Sequence, residues 1–259
     1  MAEQVQTKGS IGPEAFAACR MPLQALDLPA PSEIHIWYLE LEQLAGSLRG
    51  ALGDEHHAQE PFTRGQLRFA RRFYLRLLLG AYLGIPGKSV AINRKNRGKP
   101  VLDASVHPVD LHFSMAKSEH RLLIGFSTSA YLGVDLEPAG RRARNALGVA
   151  RRYFTPGESA ALEALPPQER DAAFLRAWAC KEAVVKASGL GIANQLCRFS
   201  VEIDVERPPG VLEFDGEKTA DWTLVVLQPN NDYLGAVSAH EPAMKIRAFR
   251  LLPAVSMAA

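Results

Sequence analysis

Residues 178–191 read WACKEAVVKASGLG, a stretch that places one acidic and two basic residues on an otherwise apolar helix. With 3.6 residues per turn, Trp178, Glu182 and Lys186 recur every four residues on one side of that helix. Lys181 lies beside Trp178 and shares its side. Taken alone, the pattern also fits a surface helix whose Glu182–Lys186 pair is worth roughly a few tenths of a kcal/mol. The helix by itself therefore does not distinguish a functional site from a solvated surface.

A second acidic segment, GVDLEP at 133–138, makes a functional site the better interpretation. Its strand-like pattern places Asp135 and Glu137 on one face, because side chains two residues apart in a strand point the same way. Two like charges roughly 7 Å apart repel by about 2 kcal/mol at an effective dielectric of about 20. Close to a helix that carries Glu182, such a pair needs a cation. Three carboxylates without His or Cys ligands suit a hard, oxygen-preferring ion such as Mg2+.

Together, these motifs resemble the signatures of the Sfp-type 4′-phosphopantetheinyl transferases. The resemblance rests, in order and spacing, on GVDLE at 133–137, FTPGE at 154–158 and WACKEAVVK at 178–186, with a weaker likeness over about 34–240. A lone D-x-E is a weak signal, whereas D-x-E followed about forty residues later by W-x-x-K-E-x-x-x-K is specific. Enzymes of this family move phosphopantetheine from coenzyme A to a serine of an acyl or peptidyl carrier protein, with Mg2+. The resemblance implies the same transfer here.

The resemblance also implies roles for individual residues. Asp135, Glu137 and Glu182 would be the metal ligands, and Glu182 would in addition accept the serine proton as general base. Lys186 would hold a pyrophosphate oxygen and stabilise the leaving 3′,5′-adenosine bisphosphate, while Lys181 would support this charge network. Trp178 is expected mainly to pack. The choice between Mg2+ and Mn2+ stays open.

Basic residues upstream are candidates for binding the phosphates of coenzyme A. A helix is predicted over 62–83, and its cations Arg64, Arg68, Arg72 and Arg76 recur every four residues, which fits either a solvated face or an anion-binding face. The loop NRKNRGKP at 93–100 could be an exposed turn or could present Lys99 and main-chain N–H groups to a phosphate. In the family a GKP sequence at this place contacts coenzyme A, so the resemblance assigns Lys99 to the cofactor.

The chain departs from the family pattern at two places. Where the family usually has F-N-x-S-H-S, residues 113–118 read FSMAKS, and we predict that Lys117 takes over the phosphate contact of the missing histidine. Before Phe62, relatives often carry Lys or Arg near the 3′-phosphate, whereas residues 54–60 read DEHHAQE. Arg64 and Arg68 could compensate, but selection of coenzyme A over its dephospho form stays open. His56 and His57 are expected to be solvated.

The predicted fold is of the α+β class, because helices followed by strands occur twice along the chain, divided near residue 131. The resemblance extends this to two similar α/β subdomains in a pseudo-two-fold arrangement with the cofactor between them, which periodicity alone does not show. The predicted division is an N-terminal arm that could be mobile (1–32), an N-terminal subdomain (33–131), a C-terminal subdomain with the metal site (132–252) and a tail (253–259).

Composition narrows the class of protein. The 259 residues are 47% hydrophobic and 22% charged with a net charge of +2, so no overall field favours nucleic acid. The three cysteines show no metal spacing and fit reduced thiols. No secretion leader is recognisable, and no apolar run reaches the roughly 18 residues that a membrane span needs. We therefore expect a cytoplasmic monomer that contacts neither nucleic acid nor membrane.

The expected partners are coenzyme A and a carrier protein. A basic surface around 141–152 could receive the acidic helix of a carrier, although such a charge run could also be a solvated face. The carrier could serve fatty acid, polyketide or nonribosomal peptide synthesis. One alternative is a non-catalytic relative that binds coenzyme A or a carrier without transfer, suggested by Ala116-Lys117. The intact acids argue against it, since a binder does not need crowded carboxylates.

Overall fold

The computed structural model describes residues 9–44, 62–94, 98–143, 145–189 and 195–254. Its strands are β1 (Ser10–Ile11), β2 (Phe16–Arg20), β3 (Glu33–Glu40), β4 (Ile92–Arg94), β5 (Pro100–Leu102), β6 (His112–Ser118), β7 (Arg121–Ser127), β8 (Leu132–Pro138), β9 (Phe199–Val201), β10 (Val211–Phe214), β11 (Thr223–Asn230), β12 (Tyr233–Ala239) and β13 (Lys245–Leu252). Its α-helices are α1 (Arg64–Leu83), α2 (Ala146–Tyr153), α3 (Pro156–Ala164) and α4 (Pro167–Ser188).

Two main sheets form the centre of the molecule. One has the order β2-β13-β3-β7-β6 and the other the order β1-β11-β12-β8. Helices α1 and α4 pack on opposite outer faces, and the two inner faces pack against each other. The expected mixed class of helices and strands is thus confirmed, whereas the pseudo-two-fold relation and the cofactor position remain predictions.

The ends of the chain take part in both sheets. The described part of the predicted arm contributes β1, parallel to β11, and β2, parallel to β13. Pairing with these strands satisfies the N–H and C=O groups of the paired residues, and the arm as a separate part of the chain stays a prediction. Strand β13 pairs with β2 and β3, in the sheet otherwise built from residues before 128. Sheet membership therefore does not follow chain order, and the predicted division into subdomains stays a prediction.

Alternation along β8 decides where its acids point. Leu132, Val134 and Leu136 are buried in the core between the two sheets. The residues between them therefore face α4 on the other side of the strand. Gly133 permits the close approach of that helix, because a Cβ at this position would clash with the backbone carbonyl of Ala183. The GVDLE motif thus combines a contact residue with two outward-facing carboxylates.

The helix boundaries follow local signals. Thr63 caps α1 and Thr155 caps α3, each within a reciprocal capping box, and Gly84 and Gly189 end α1 and α4 with φ of +65° and +69°. The helix predicted over 62–83 is confirmed. Helix α4 begins at Pro167, well before the quoted stretch. Residues 41–44, which follow β3, form turns.

Among the described residues, every helix is too short or too polar to cross a membrane.

Candidate active site

Strand β8 and helix α4 bring Asp135 and Lys186 into direct contact. Asp135 is 7% exposed, and its Oδ1 accepts a hydrogen bond of 2.6 Å from Lys186 Nζ. Lys186 Nζ also donates to the carbonyl of Val134 at 3.1 Å. Asp135 Oδ2 is buried and has no hydrogen-bond partner among the described residues. A buried carboxylate oxygen left in this state is costly, so a ligand contact at this atom would be favourable.

Glu137 lies two residues further along the same face. Its Oε2 accepts a hydrogen bond of 2.6 Å from Arg141. Burial raises the pKa of Glu137 above its usual value; the Arg141 hydrogen bond opposes this rise and the charge of Asp135 adds to it. The two acids of the strand therefore repel each other, as the sequence pattern predicts.

Glu182 faces these acids from α4. It is 6% exposed and forms no hydrogen bond with another described residue. Burial raises the pKa of Glu182 to about 7; Lys186 opposes the rise, and the charges of Asp135 and Glu137 add to it. The carboxyl group is therefore poised to exchange a proton near neutral pH.

The pKa of Glu182 gives a pH-dependent stability in the metal-free protein. Because the folded-state pKa of about 7 exceeds the ordinary value of 4.5, the folded state binds more protons than the unfolded state between these values. The free energy of unfolding should therefore fall as pH rises through this window. Glu182→Gln should flatten the fall, whereas the exposed-site control Glu206→Gln should not. Denaturant titrations between pH 4.5 and pH 8 measure it, and parallel curves for wild type and Glu182→Gln would contradict it.

The carboxylates of Asp135, Glu137 and Glu182 are the candidate ligands of a metal ion. Within the described ranges, no three His, Cys, Asp or Glu side chains form a group that could hold a metal by themselves. Lys186 binds one carboxylate oxygen of Asp135, and Arg141 binds one carboxylate oxygen of Glu137. The carboxylates therefore do not all point at a single position. The partnerless Asp135 Oδ2 and the Glu182 carboxyl still supply oxygen donors. This set fits a hard cation such as Mg2+, which keeps several waters and uses few carboxylates.

The structure places Lys181 away from these acids. Its side chain is fully buried, and Nζ donates to both carboxylate oxygens of Glu158, at 2.8 and 2.7 Å, and to the carbonyl of Phe199 at 2.7 Å. Glu158 also accepts from the backbone N–H groups of Thr155 and Val201. The structure thus pairs Lys181 with Glu158 and not with Glu182, and the predicted part of Lys181 in the charge network stays a prediction. The physical reason for this pairing is that the Lys181 side of α4 packs into the core.

Trp178 packs as expected. Its ring lies 6.0 Å from that of Phe174 and 6.4 Å from that of Phe154, between ring centroids. It also lines a small apolar cavity of about 120 Å3 together with Val149 and Leu175.

Lys99 connects the two parts of the chain. Its Nζ donates to the carbonyl of Leu132 at 3.2 Å, where β8 begins, and to the carbonyl of Lys186 at 3.1 Å, in the last turn of α4. It thereby fixes the backbone of Lys186, the residue whose ammonium group binds Asp135. The predicted contact of Lys99 with coenzyme A stays a prediction.

A large cleft is lined by residues of α1, of the β6–β7 hairpin and by Tyr233 of β12. It has a volume of about 1140 Å3, and we call it the basic cleft; its cationic lining residues are Arg64, Arg68, Arg71, Arg72, Arg94, Lys117 and Arg121. Arg64, Arg68, Arg72 and Lys117 are exposed and make no ion pair or hydrogen bond with another described residue. The structure thus brings together three predicted cofactor-binding residues, Arg64, Arg68 and Lys117. Unpartnered cations in a concave surface favour an anion-binding face over a solvated one.

Arg76, the fourth arginine of the four-residue repeat, does not line the basic cleft. Arg76 donates to the carbonyls of Gly87 and Val90, so it holds the loop after α1 instead of lining the cleft. The four-residue spacing predicted that Arg76 shares the face of the preceding arginines of α1. Its guanidinium instead binds carbonyl groups of the loop that follows the helix. His56, His57 and the 54–60 segment lie outside the described residues.

Several cleft residues were missed by sequence reasoning. Arg71, Arg94 and Arg121 were not assigned to the cofactor, and Tyr233 comes from a distant strand. Tyr233 reaches the cleft through the pairing of β12 with β8. It lies opposite Pro138 of β8, and the next residue, Leu234, lies opposite Glu137. The wall of the basic cleft therefore adjoins the strand that carries the acids. Arg71 and Arg121 had a signal in their charge, but Tyr233 had none.

The sequence of the chain is similar to sequences of known proteins. The family model for the 4′-phosphopantetheinyl transferase superfamily matches residues 131–238. Over 230 residues the chain is 30% identical to the 4′-phosphopantetheinyl transferase HetI of a Nostoc species, covering 83% of this chain and 94% of that protein. The chain belongs to the 4′-phosphopantetheinyl transferase superfamily.

Further relatives support the enzyme class. The transferase is 26% identical over 210 residues to the 4′-phosphopantetheinyl transferase of Bacillus subtilis, covering 71% of this chain and 90% of that protein. It is 22% identical over 229 residues to the human L-aminoadipate-semialdehyde dehydrogenase-phosphopantetheinyl transferase, covering 83% of this chain and 72% of that protein. The expectation that the chain is a 4′-phosphopantetheinyl transferase is thus confirmed.

The predicted carrier surface of the transferase is basic and partly apolar. Arg141, Arg142, Arg151 and Arg152 are exposed, and Arg144 lies outside the described residues. Arg151 pairs with Glu163 at 2.5 Å, and Arg152 lies over the ring of Tyr153 at 5.3 Å. The small apolar cavity beside Arg141 adds a pocket to this surface.

Proposed function

We propose that the transferase moves the 4′-phosphopantetheine group of coenzyme A to a serine of an apo acyl or peptidyl carrier protein, with Mg2+. The observation that carries the proposal is the meeting of Asp135, Glu137, Glu182 and Lys186 on β8 and α4. The basic cleft supports it, since Tyr233 of its lining belongs to β12, the strand that pairs with β8. An acidic centre together with a cationic cleft suits a metal-assisted reaction of a pyrophosphate. The reduced state of the cysteines, which form no disulfide, fits the proposed cytoplasmic location.

In the proposed reaction the serine oxygen attacks the β-phosphorus of coenzyme A. The bond from this phosphorus to the oxygen bridging to the α-phosphate breaks, and 3′,5′-adenosine bisphosphate leaves with that oxygen. Glu182 accepts the serine proton directly or through a water. Lys186, whose ammonium group lies against Asp135, donates a hydrogen bond to the leaving phosphate. When bound by Asp135, Glu137 and Glu182, Mg2+ would neutralise charge on the pyrophosphate.

The basic cleft is the proposed place of the nucleotide. Arg64, Arg68 and Lys117 would bind its phosphates, Lys99 would contact it from the other side, and the cofactor would lie between the two parts of the chain. Arg64, Arg68 and Lys117 are exposed and have no partner within the described part of the chain, which supports this assignment. The two subdomains and their pseudo-two-fold relation belong to the same proposal.

Lys117→Ala should raise the Kd of coenzyme A roughly ten-fold, because one charge-assisted contact to phosphate is lost. Calorimetry measures the Kd without turnover. Lys88→Ala, an exposed lysine outside the cleft lining, is the matched control. An unchanged Kd in Lys117→Ala would exclude this residue from the phosphate site.

The carrier surface gives a separate expectation. If an acidic carrier helix docks on Arg142, Arg151 and Arg152, the KM for the carrier should rise steeply with salt, while the KM for coenzyme A moves less. Steady-state kinetics over a salt series measures both constants. Equal responses of the two constants would count against this surface.

One experiment tests the function as a whole. The transferase is incubated with coenzyme A, Mg2+ and an apo carrier protein, and the carrier is weighed by mass spectrometry, with Asp135→Ala as control. A gain of one phosphopantetheine group is expected with the wild type alone. Binding of coenzyme A without any mass gain would instead favour the non-catalytic relative, which the Ala116-Lys117 departure suggests.

A further inference from the structure

The connection between β6 and β7 has an unusual backbone. Ser118 pairs with Arg121, so Glu119 and His120 form a two-residue turn. Glu119 has φ of +48°, in the left-handed region. Two-residue hairpin turns favour this conformation at their first residue, where glycine is preferred because a side chain crowds the backbone. A glutamate here is therefore strained, and such strain persists where surrounding contacts impose it.

Two contacts hold this glutamate from opposite sides. Arg71 of α1 donates from Nη2 to the carbonyl of Glu119 at 2.6 Å. Tyr233 of β12 donates its hydroxyl to Glu119 Oε2 at 2.7 Å. The guanidinium of Arg121 lies 5.5 Å from the centre of the Tyr233 ring. One turn residue thus connects the helix of the basic cleft with the neighbour of the acid-bearing strand.

The same turn presents a cation to the cleft. Lys117 lies two residues before Glu119 on the hairpin, and Lys117, Arg71, Glu119 and Tyr233 all line the basic cleft. Glu119 brings a negative charge into a cationic site, which by itself weakens anion binding. Its carboxylate is engaged by a neutral donor, Tyr233, and not by a cleft cation. Burial, together with Glu119, raises the pKa of Tyr233, so this donor stays protonated at neutral pH.

We propose that Glu119 is a positioning residue for phosphate binding: Arg71 and Tyr233 fix its turn so that Lys117 faces the cleft and the Glu119 carboxylate stays off the cleft cations. Without the tyrosine hydroxyl, that carboxylate is free to turn toward Lys117 or Arg72 and compete with the phosphate. The inference rests on the proposed function, since it takes the ligand to be coenzyme A.

The test uses two variants that remove the same charge. Glu119→Gln keeps an oxygen acceptor for Tyr233, whereas Glu119→Gly removes it and relieves the positive φ. We expect Glu119→Gln to bind coenzyme A at least as tightly as the wild type. Glu119→Gly should bind about five-fold more weakly than Glu119→Gln, as for the loss of one hydrogen bond. Tyr233→Phe should weaken binding similarly, and Tyr153→Phe, at an exposed tyrosine outside the basic cleft and outside the cavity of Lys99, is the control.

Calorimetry with coenzyme A and with its 3′-dephospho form, in metal-free buffer, gives the Kd values, and thermal unfolding gives Tm. A purely structural role would change Tm and leave both Kd values alone; equal affinities of Glu119→Gln and Glu119→Gly overturn the inference. Carrier modification by the wild type together with equal affinities leaves the proposed function standing and this inference refuted. If the affinities follow the expected order but the wild type transfers nothing to the carrier, this inference stands and the proposed function is refuted.

Discussion

Asp135→Asn should lower kcat for transfer by about 10^3-fold, the scale on which removal of a charge-stabilising group acts. The substitution removes the charge that holds Lys186 at 2.6 Å and weakens the oxygen set proposed for Mg2+. It also removes a negative charge that helps to raise the pKa of Glu182, so that pKa should fall. Single-turnover assays with a carrier protein measure the rate, and titration of the metal-free protein measures the pKa.

The control for this substitution is Asp110→Asn, on an exposed aspartate that pairs only with His112 among the described residues. It makes the same chemical change outside the candidate site and should leave kcat unaltered. If Asp135→Asn retained a rate within a few-fold of the wild type, the assignment of β8 to the chemistry would be wrong.

Lys181→Met should lower the free energy of unfolding by about 3–5 kcal/mol, because it leaves the buried Glu158 carboxylate without its cation. Adding Glu158→Gln should recover part of the loss, since the amide carries no buried charge and its single oxygen can still accept from either Val201 or Thr155. Denaturant titrations of the single and double variants give these values. Lys88→Met, at an exposed lysine, provides the control.

The double variant also separates two roles of Lys181. A positioning role predicts that a folded Lys181→Met, Glu158→Gln protein retains most of its transfer rate. Direct participation in the charge network predicts a large loss of kcat despite a restored fold. A single-variant loss below about 1 kcal/mol would show that the buried pair does not stabilise α4.

The acids could be predicted from the sequence because their arrangement is local. Alternation along β8 puts Asp135 and Glu137 on one face, and helical spacing puts Glu182 and Lys186 on one side of α4. Lys181 could not be placed in this way. The buried residues of α4 extend round most of the helix, so its apolar pattern does not tell which side meets the strand.

The basic cleft was only partly predictable. The spacing of Arg64, Arg68 and Arg72 showed a common face, but not that Arg76 would turn to the loop after α1. Tyr233 reaches the cleft through the pairing of β12 with β8, and Glu119 occupies a turn position at which glycine would have been the recognisable signal. Such placements depend on tertiary pairing and cannot be read from neighbouring residues.

The position of β13 has a consequence for folding. Because β13 lies between β2 and β3, this sheet is held together by pairing between segments that are far apart in the sequence. Such pairing closes a long loop and is expected to slow folding. Until β13 docks, one edge of β3 has no neighbour, so a partly folded chain would present an unpaired strand edge to other chains.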